Sequence, residues 1–269
     1  MNLMRVALAI AGLTACSTHL VDPQACATLL ELNLGTRIAV SEIHGPIRLS
    51  TLGGEQERIL ITGNVNAQDW APERDRLVYV DDRGSLEYAL SVTDTFAVTQ
   101  QLPVPLRSTW PVWSRDGWIY FFTQTNQPPQ IRRIRPDGTG LSPSFVIGRF
   151  PAPAPDGLRF AYTESGKIWT FNLTTGVSTP VTDADAIALR WSPDGNWIGY
   201  IERGQTTIVR PDGAGKQVIG PGSVGGISWS PDACFVLGGS QSRPMVVIDP
   251  RDGLFLDLSV IGLYPAWRP

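Results

Sequence analysis

The chain has 269 residues, of which 42% are apolar and 17% charged, and its net charge is −3. That balance excludes a disordered chain, and the lack of any basic stripe argues against nucleic acid as a partner. Its 27 glycines and 22 prolines call for a fold with many tight turns.

Residues 1–5 carry a single basic side chain, Arg5, and are followed by an apolar run over 6–13 that is too short to span a bilayer. The run ends in Leu13-Thr14-Ala15-Cys16, which resembles a bacterial lipobox, with small residues ahead of a cysteine. Residues 1–15 are therefore expected to be a lipoprotein signal peptide and Cys16 the lipidated first residue of the mature chain. An ordinary secretory signal with an incidental cysteine is the alternative. No later segment reaches 18 apolar residues, so the expected membrane anchor is lipid and not a helix. The expected location is extracytoplasmic, on the periplasmic side or the cell surface.

Residues 16–36 read as a tether or arm, in which 26–32 can form a short helical turn. Strands are expected at 37–41, 47–50 and 58–62. Beyond them one unit recurs. Trp191-Ser192-Pro193-Asp194-Gly195 reads as a strand end and a tight turn, followed by a second strand from Trp197. Proline presets the turn, aspartate suits the next place, and glycine supplies positive φ. Further copies begin at Trp113 and Trp229, with a Trp-less copy at Pro153 and weaker ones at Trp70 and Trp267.

The copies are 43, 40, 38, 38 and 38 residues apart. A period of about 40 built of strands indicates a β-propeller with four strands per blade. A second set of turns, including Asp137-Gly138, Asp212-Gly213 and Asp252-Gly253, alternates with the first. The expected fold is all-β, a six-bladed propeller over 37–269. The C-terminal copy has its turn but no strands after it, and the three N-terminal strands lack the turn. The last blade is thus expected to take its innermost strand from residues near 262–267 and three from 37–62, which removes exposed strand edges. Inter-blade loops on one face are expected near 63–69, 100–110, 148–152, 182–187, 220–226 and 258–264.

The repeated Trp-x-Pro-Asp-Gly units resemble the PD40 (WD40-like) repeats of TolB-type six-bladed propellers. What the resemblance implies is a rigid protein-binding platform. TolB carries an additional α/β domain ahead of its propeller, for which 16–37 has no room, so the Tol–Pal partnership is not carried over.

No catalytic pattern appears. The two histidines, His19 and His44, form no metal motif, there is no Gly-x-Ser-x-Gly elbow and no phosphate loop, and no cofactor or metal is expected. Turn formation accounts for the repeated aspartates without calcium, and packing between blades accounts for the tryptophans without a sugar platform. With Cys16 consumed by lipid, Cys26 and Cys234 remain, either as a bridge pinning the arm to the blade opened by Trp229 or as two buried thiols. Asn66, Asp69, Arg107, Trp110, Arg149, Asp183, Asp185 and Tyr264 are expected on the loops of one face, as a candidate binding surface. The function expected is a non-catalytic, lipid-anchored, monomeric propeller that binds a protein or peptide in the bacterial cell envelope. The alternative is a propeller enzyme, lactonase-like or glycan-active, with its site at the central channel.

Overall fold

Each Trp-Ser-Pro-Asp unit folds as a closed set of hydrogen bonds. In the unit at 191, the Gly195 N–H donates to the Ser192 carbonyl, and the Ser192 hydroxyl donates to Asp194 and accepts from the Trp197 N–H at 2.9 Å. Asp194 also accepts from the Asn196 N–H, so its carboxylate is committed to the turn. The units at 114 and 230 repeat the pattern through Ser114 with Asp116 and Ser230 with Asp232. Gly195 has φ +80, the conformation glycine adopts without penalty. In the unit at 229, Ala233 holds φ +63 in its place, at a cost of about 1–2 kcal/mol.

The computed structural model describes residues 26–41, 44–73, 75–84, 88–124, 128–222, 225–239 and 243–269. Cys16, the expected signal peptide and the first part of the tether lie outside the described residues. Among those described, regular structure is all β apart from one 3-10 turn, Leu29–Glu31. The Glu31 carboxylate ties that turn by accepting from the Thr28 N–H and hydroxyl.

The first strands are β1 (Arg37–Ser41), β2 (Gly45–Thr51), β3 (Gln56–Trp70), β4 (Arg76–Asp82), β5 (Tyr88–Asp94) and β6 (Thr99–Gln101). A four-stranded sheet follows, of β7 (Ser108–Trp113), β8 (Ile119–Thr123), β9 (Gln130–Ile134) and β10 (Val146–Ile147). The next holds β11 (Arg149–Pro153), β12 (Arg159–Glu164), β13 (Lys167–Asn172) and β14 (Ser178–Asp183). The next two are β15 (Ala186–Trp191), β16 (Ile198–Glu202), β17 (Gln205–Val209) and β18 (Gln217–Pro221), then β19 (Ile227–Trp229), β20 (Val236–Gly238), β21 (Val246–Ile248) and β22 (Phe255–Asp257). The last strand, β23 (Leu263–Trp267), returns to β1, giving a seven-stranded sheet ordered β23-β1-β2-β3-β4-β5-β6. The register is antiparallel, with Ile38 opposite Trp267 and Ala39 opposite Ala266.

Two expected loops are corrected. Of 148–152, only Gly148 lies between strands, because 149–152 belong to β11. Residues 63–69 are not a loop either. β3 runs without a break, its first half pairing with β2 (Ile47 opposite Ile61) and its second with β4 (Trp70 opposite Leu77). After Gly63 the chain passes its hydrogen bonds from one neighbour to the other, and Val65, Ala67 and Trp70 are buried there. Although Asn64, Asn66 and Asp69 are common in turns, Val65 and Ala67 alternate with Asn66 and Gln68, the period of two that a strand accommodates.

The core lies between successive sheets. Trp191, Ile198 and Tyr200 pack on Ala152 and Ala161 of the preceding sheet, and Trp229 and Ile248 pack on Trp197 and Ile208. The repeated tryptophans at 70, 113, 191, 229 and 267 are all at least nine-tenths buried, as packing residues should be. Arg76, Arg159 and Arg268 lie over the rings of Trp113, Trp191 and Trp70. The second set of turns leans on the preceding sheet. Gly213 has φ +88, and a Cβ added there would stand 2.4 Å from the Val181 carbonyl oxygen. Gly213→Ala is therefore expected to destabilise by about 2 kcal/mol or more and to lower Tm by roughly 4–8 °C in a thermal melt.

Candidate functional site

The strands β3, β7, β11, β15, β19 and β23 touch in that succession, and β23 also touches β3. Aligning these six on their last residues (70, 113, 153, 191, 229 and 267) sorts their side chains into layers. Three residues before each end stand Ala67, Trp110, Phe150, Ala188, Gly226 and Tyr264. All six have positive φ, between 44° and 90°. In β3, β7, β11 and β15, and in the pairing of β23 with β1, the register slips at this point, the mark of a β-bulge. Each non-glycine left-handed residue costs on the order of 1–2 kcal/mol. Repeating the distortion in every inner strand turns the side chains of this layer together.

Three members of the layer are aromatic and pack on one another. The Trp110 ring meets Phe150 edge-on at 4.9 Å and Tyr264 at 5.6 Å. The cavity beside them, between Trp110, Tyr264, Gly225 and Gly226, is only about 10 Å³. These aromatics form a plug. Each is followed by proline (Pro111, Pro151, Pro265), whose missing N–H suits a place where the ladder is interrupted.

One residue before each strand end the layer reads Asp69, Val112, Ala152, Arg190, Ser228 and Ala266. Two of the six are charged, and they sit in β3 and β15, three strands apart. Both line a cavity of about 380 Å³, whose wall also includes Trp113, Trp191, Trp229 and prolines of the repeated turns. The Asp69 carboxylate accepts a hydrogen bond of 2.7 Å from the Trp113 N–H. Burial pushes its carboxyl above the usual carboxylate range, partly offset by the charge of Arg190 and by the N–H groups of Trp113 and Trp70. Burial likewise pulls Arg190 below its ordinary value, with Asp69 opposing. The hydrogen bond of the Arg190 guanidinium among the described residues runs from Nη1 to the Leu189 carbonyl at 3.1 Å. The two charges are not in ion-pair contact, and each lines the cavity.

The structure divides the expected binding face. Asp69 lies toward the Trp-turn end of its strand, away from the loops where it was expected, and Trp110 and Tyr264 are in the plug, because a strand continues where a loop was expected. Asn66 is half-buried and donates to Asp82, which also holds His44 at 2.8 Å. Arg107 is half-exposed. Asp183 is exposed and paired with Lys167 at 2.8 Å, which lowers its pKa. Arg149 and Asp185 are exposed and share a separate groove of about 320 Å³ with Glu164 and Phe150. Arg190 was not foreseen. The signal was available: in the six aligned copies, only Asp69 and Arg190 are charged at the residue before the strand end.

The arm is anchored. Cys26 and Cys234 form a disulfide with Cα atoms 5.6 Å apart, and Arg251 donates to the carbonyls of Cys26 and Ala27. Leu29, Leu32 and Leu34 pack on the cluster containing Phe235, Leu256 and Trp267.

No family model matches the chain, and no curated protein matches it. Solved structures do. TolB from Acinetobacter baumannii superposes with a TM-score of 0.76 at 18% identity, over 88% of this chain and 68% of that one. A chain of a nidogen/laminin complex gives 0.70 at 10% identity, over 86% and 98%. An oligogalacturonate lyase in complex with manganese gives 0.55 at 13%, over 82% and 77%. The layers, the plug and these likenesses together make the chain a β-propeller of TolB-like fold.

Proposed function

We propose that this chain is a non-catalytic propeller of six blades that binds a protein or peptide partner at the Trp-turn mouth of its axial cavity. The seven-stranded sheet then counts as two blades sharing β3, and the pairing of β23 with β1 shuts the ring. The cavity carries the reading: it lies among the Trp-turn ends of the inner strands and is lined by two enclosed charges, Asp69 and Arg190, with Arg115 at its edge. A lipid on Cys16 would hold the molecule in the cell envelope as a monomer, with residues 1–15 removed and 37–269 forming the propeller. The lipobox-like sequence supports that anchorage.

A photo-crosslinking residue at Pro231, on the cavity rim, is expected to trap an envelope protein in living cells, and the same residue at Asp212, on an outer turn, is not. Equal trapping at both positions, or at neither, would count against this mouth. The alternative, a propeller enzyme, is supported by the lyase likeness alone. Among the described residues no three His, Cys, Asp or Glu side chains gather as metal ligands. Turnover of pectic fragments in the presence of manganese would favour that alternative.

A further inference from the structure

The binding reading leaves open what chemistry the cavity selects. Its rim is formed by prolines and tryptophans already committed to turns and packing, together with the exposed side chain of Arg115. Below that rim, the charged side chains that line the cavity are Asp69 and Arg190. In a ring of six inner strands, β3 and β15 face each other across the axis, so Asp69 and Arg190 stand on opposite walls. The four positions between them, Val112, Ala152, Ser228 and Ala266, are small or apolar and leave the middle open.

The two charges differ in what they can offer. Asp69 is partly spent, since its carboxylate already accepts from the Trp113 N–H. Arg190 donates to one backbone carbonyl, and a guanidinium has five N–H donors in a planar fork that matches a carboxylate. Such a cation, in a cavity with limited access to water, gains more from an anionic partner than one on an open surface does.

Resting on the peptide-binding reading, we propose that the cavity selects a carboxylate of its ligand, seated on Arg190. The carboxylate is either the chain end of a peptide or an Asp or Glu side chain. Asp69 acts as the counterweight. It offsets the charge of Arg190 and opposes any anion that enters, so that an anion must be held by the fork and by contacts to the wall in order to stay.

The test uses the full chain in detergent and a random pentapeptide library made twice, with free and with amidated C-termini. Ligands enriched on the wild type are expected to require a carboxylate. Loss on amidation identifies the chain end, and loss on Glu→Gln or Asp→Asn identifies the side chain. Arg190→Gln is expected to weaken the selected ligand roughly 30-fold or more, the size expected when one partner of an enclosed charge pair is removed. Asp69→Asn, which keeps an oxygen for the Trp113 N–H, is expected to tighten it several-fold. These opposite signs would not arise from a general loss of structure, and a thermal melt of each variant checks the fold directly. Peptides that enrich without needing a carboxylate, or that bind Arg190→Gln as well as wild type, overturn the carboxylate inference and leave peptide binding intact. A library that yields no ligand trapped by the photo-crosslinking residue at Pro231 overturns both.

Discussion

Ending the chain at Gly262 is expected to leave a protein that no longer melts cooperatively and that elutes as aggregate. The deletion removes β23 and with it the partner of Ile38 and Ala39 in the ladder. Trp267, Ala266 and Leu263 are nearly fully buried, and the Trp267 N–H donates to the Ser228 hydroxyl at 2.9 Å. The Ala266 carbonyl accepts from the Trp70 indole, and the Tyr264 carbonyl accepts from the Gln68 side chain. Loss of one buried tryptophan to alanine alone costs about 3–5 kcal/mol, against a total stability of about 5–15 kcal/mol. Deletion adds the exposure of β1 as a long apolar edge, a template for pairing with other chains. Size-exclusion chromatography and a thermal melt decide the matter. A monomer that melts within a few degrees of the intact chain would mean that β23 does not hold the two ends together. The milder Trp267→Ala should remain monomeric and lose about 3–5 kcal/mol.

The second large effect is expected from Cys26→Ala. The bridge joins residues 208 apart in sequence. Chain-entropy reasoning sets a ceiling of about 5 kcal/mol for a loop of that length, and native bridges typically contribute about 2–4 kcal/mol. At roughly 2–4 °C per kcal/mol for a chain of this size, Tm should fall by about 5–15 °C. Reductant should lower the wild type by the same amount and leave the variant unchanged. The arm should also become a protease target, because Leu29, Leu32 and Leu34 would keep their packing only through their own contacts and the Arg251 hydrogen bonds. A melt that shifts by less than 2 °C, or an equal response of both proteins to reductant, would show that packing alone secures the arm.

Much of the architecture was legible because local chemistry repeats. The Ser-Pro-Asp turn closes its own hydrogen bonds between residues no more than five apart, so each copy forms wherever the sequence recurs, as at Ser192 and Ser230. The meeting of the C-terminal Trp267 with Ile38 was legible too, because an unfinished set of strands at each end of the chain can be completed only by the other. The break expected at 63–69 was not found, since an alternation that changes partners midway looks the same in sequence as one that stops.

The candidate site was legible only in fragments. Asp69 could be named, but its hydrogen-bond partner Trp113 is 44 residues away and Arg190, which lines the same cavity, lies in a strand more distant still. Trp110 and Tyr264 read as loop residues because nothing local announces a bulge, although the proline after each aromatic is consistent with one.

By itself the sequence determined the turns, the period of the repeat and the strands between, because these depend on backbone preferences and on contacts a few residues apart. Tertiary structure alone decided that six left-handed residues fall in one layer, that three aromatics of that layer pack on one another, and that Asp69 and Arg190 line one cavity without touching. Those outcomes depend on how the inner strands are brought side by side, and the direction in which a side chain points there is set by packing between sheets rather than by its neighbours along the chain.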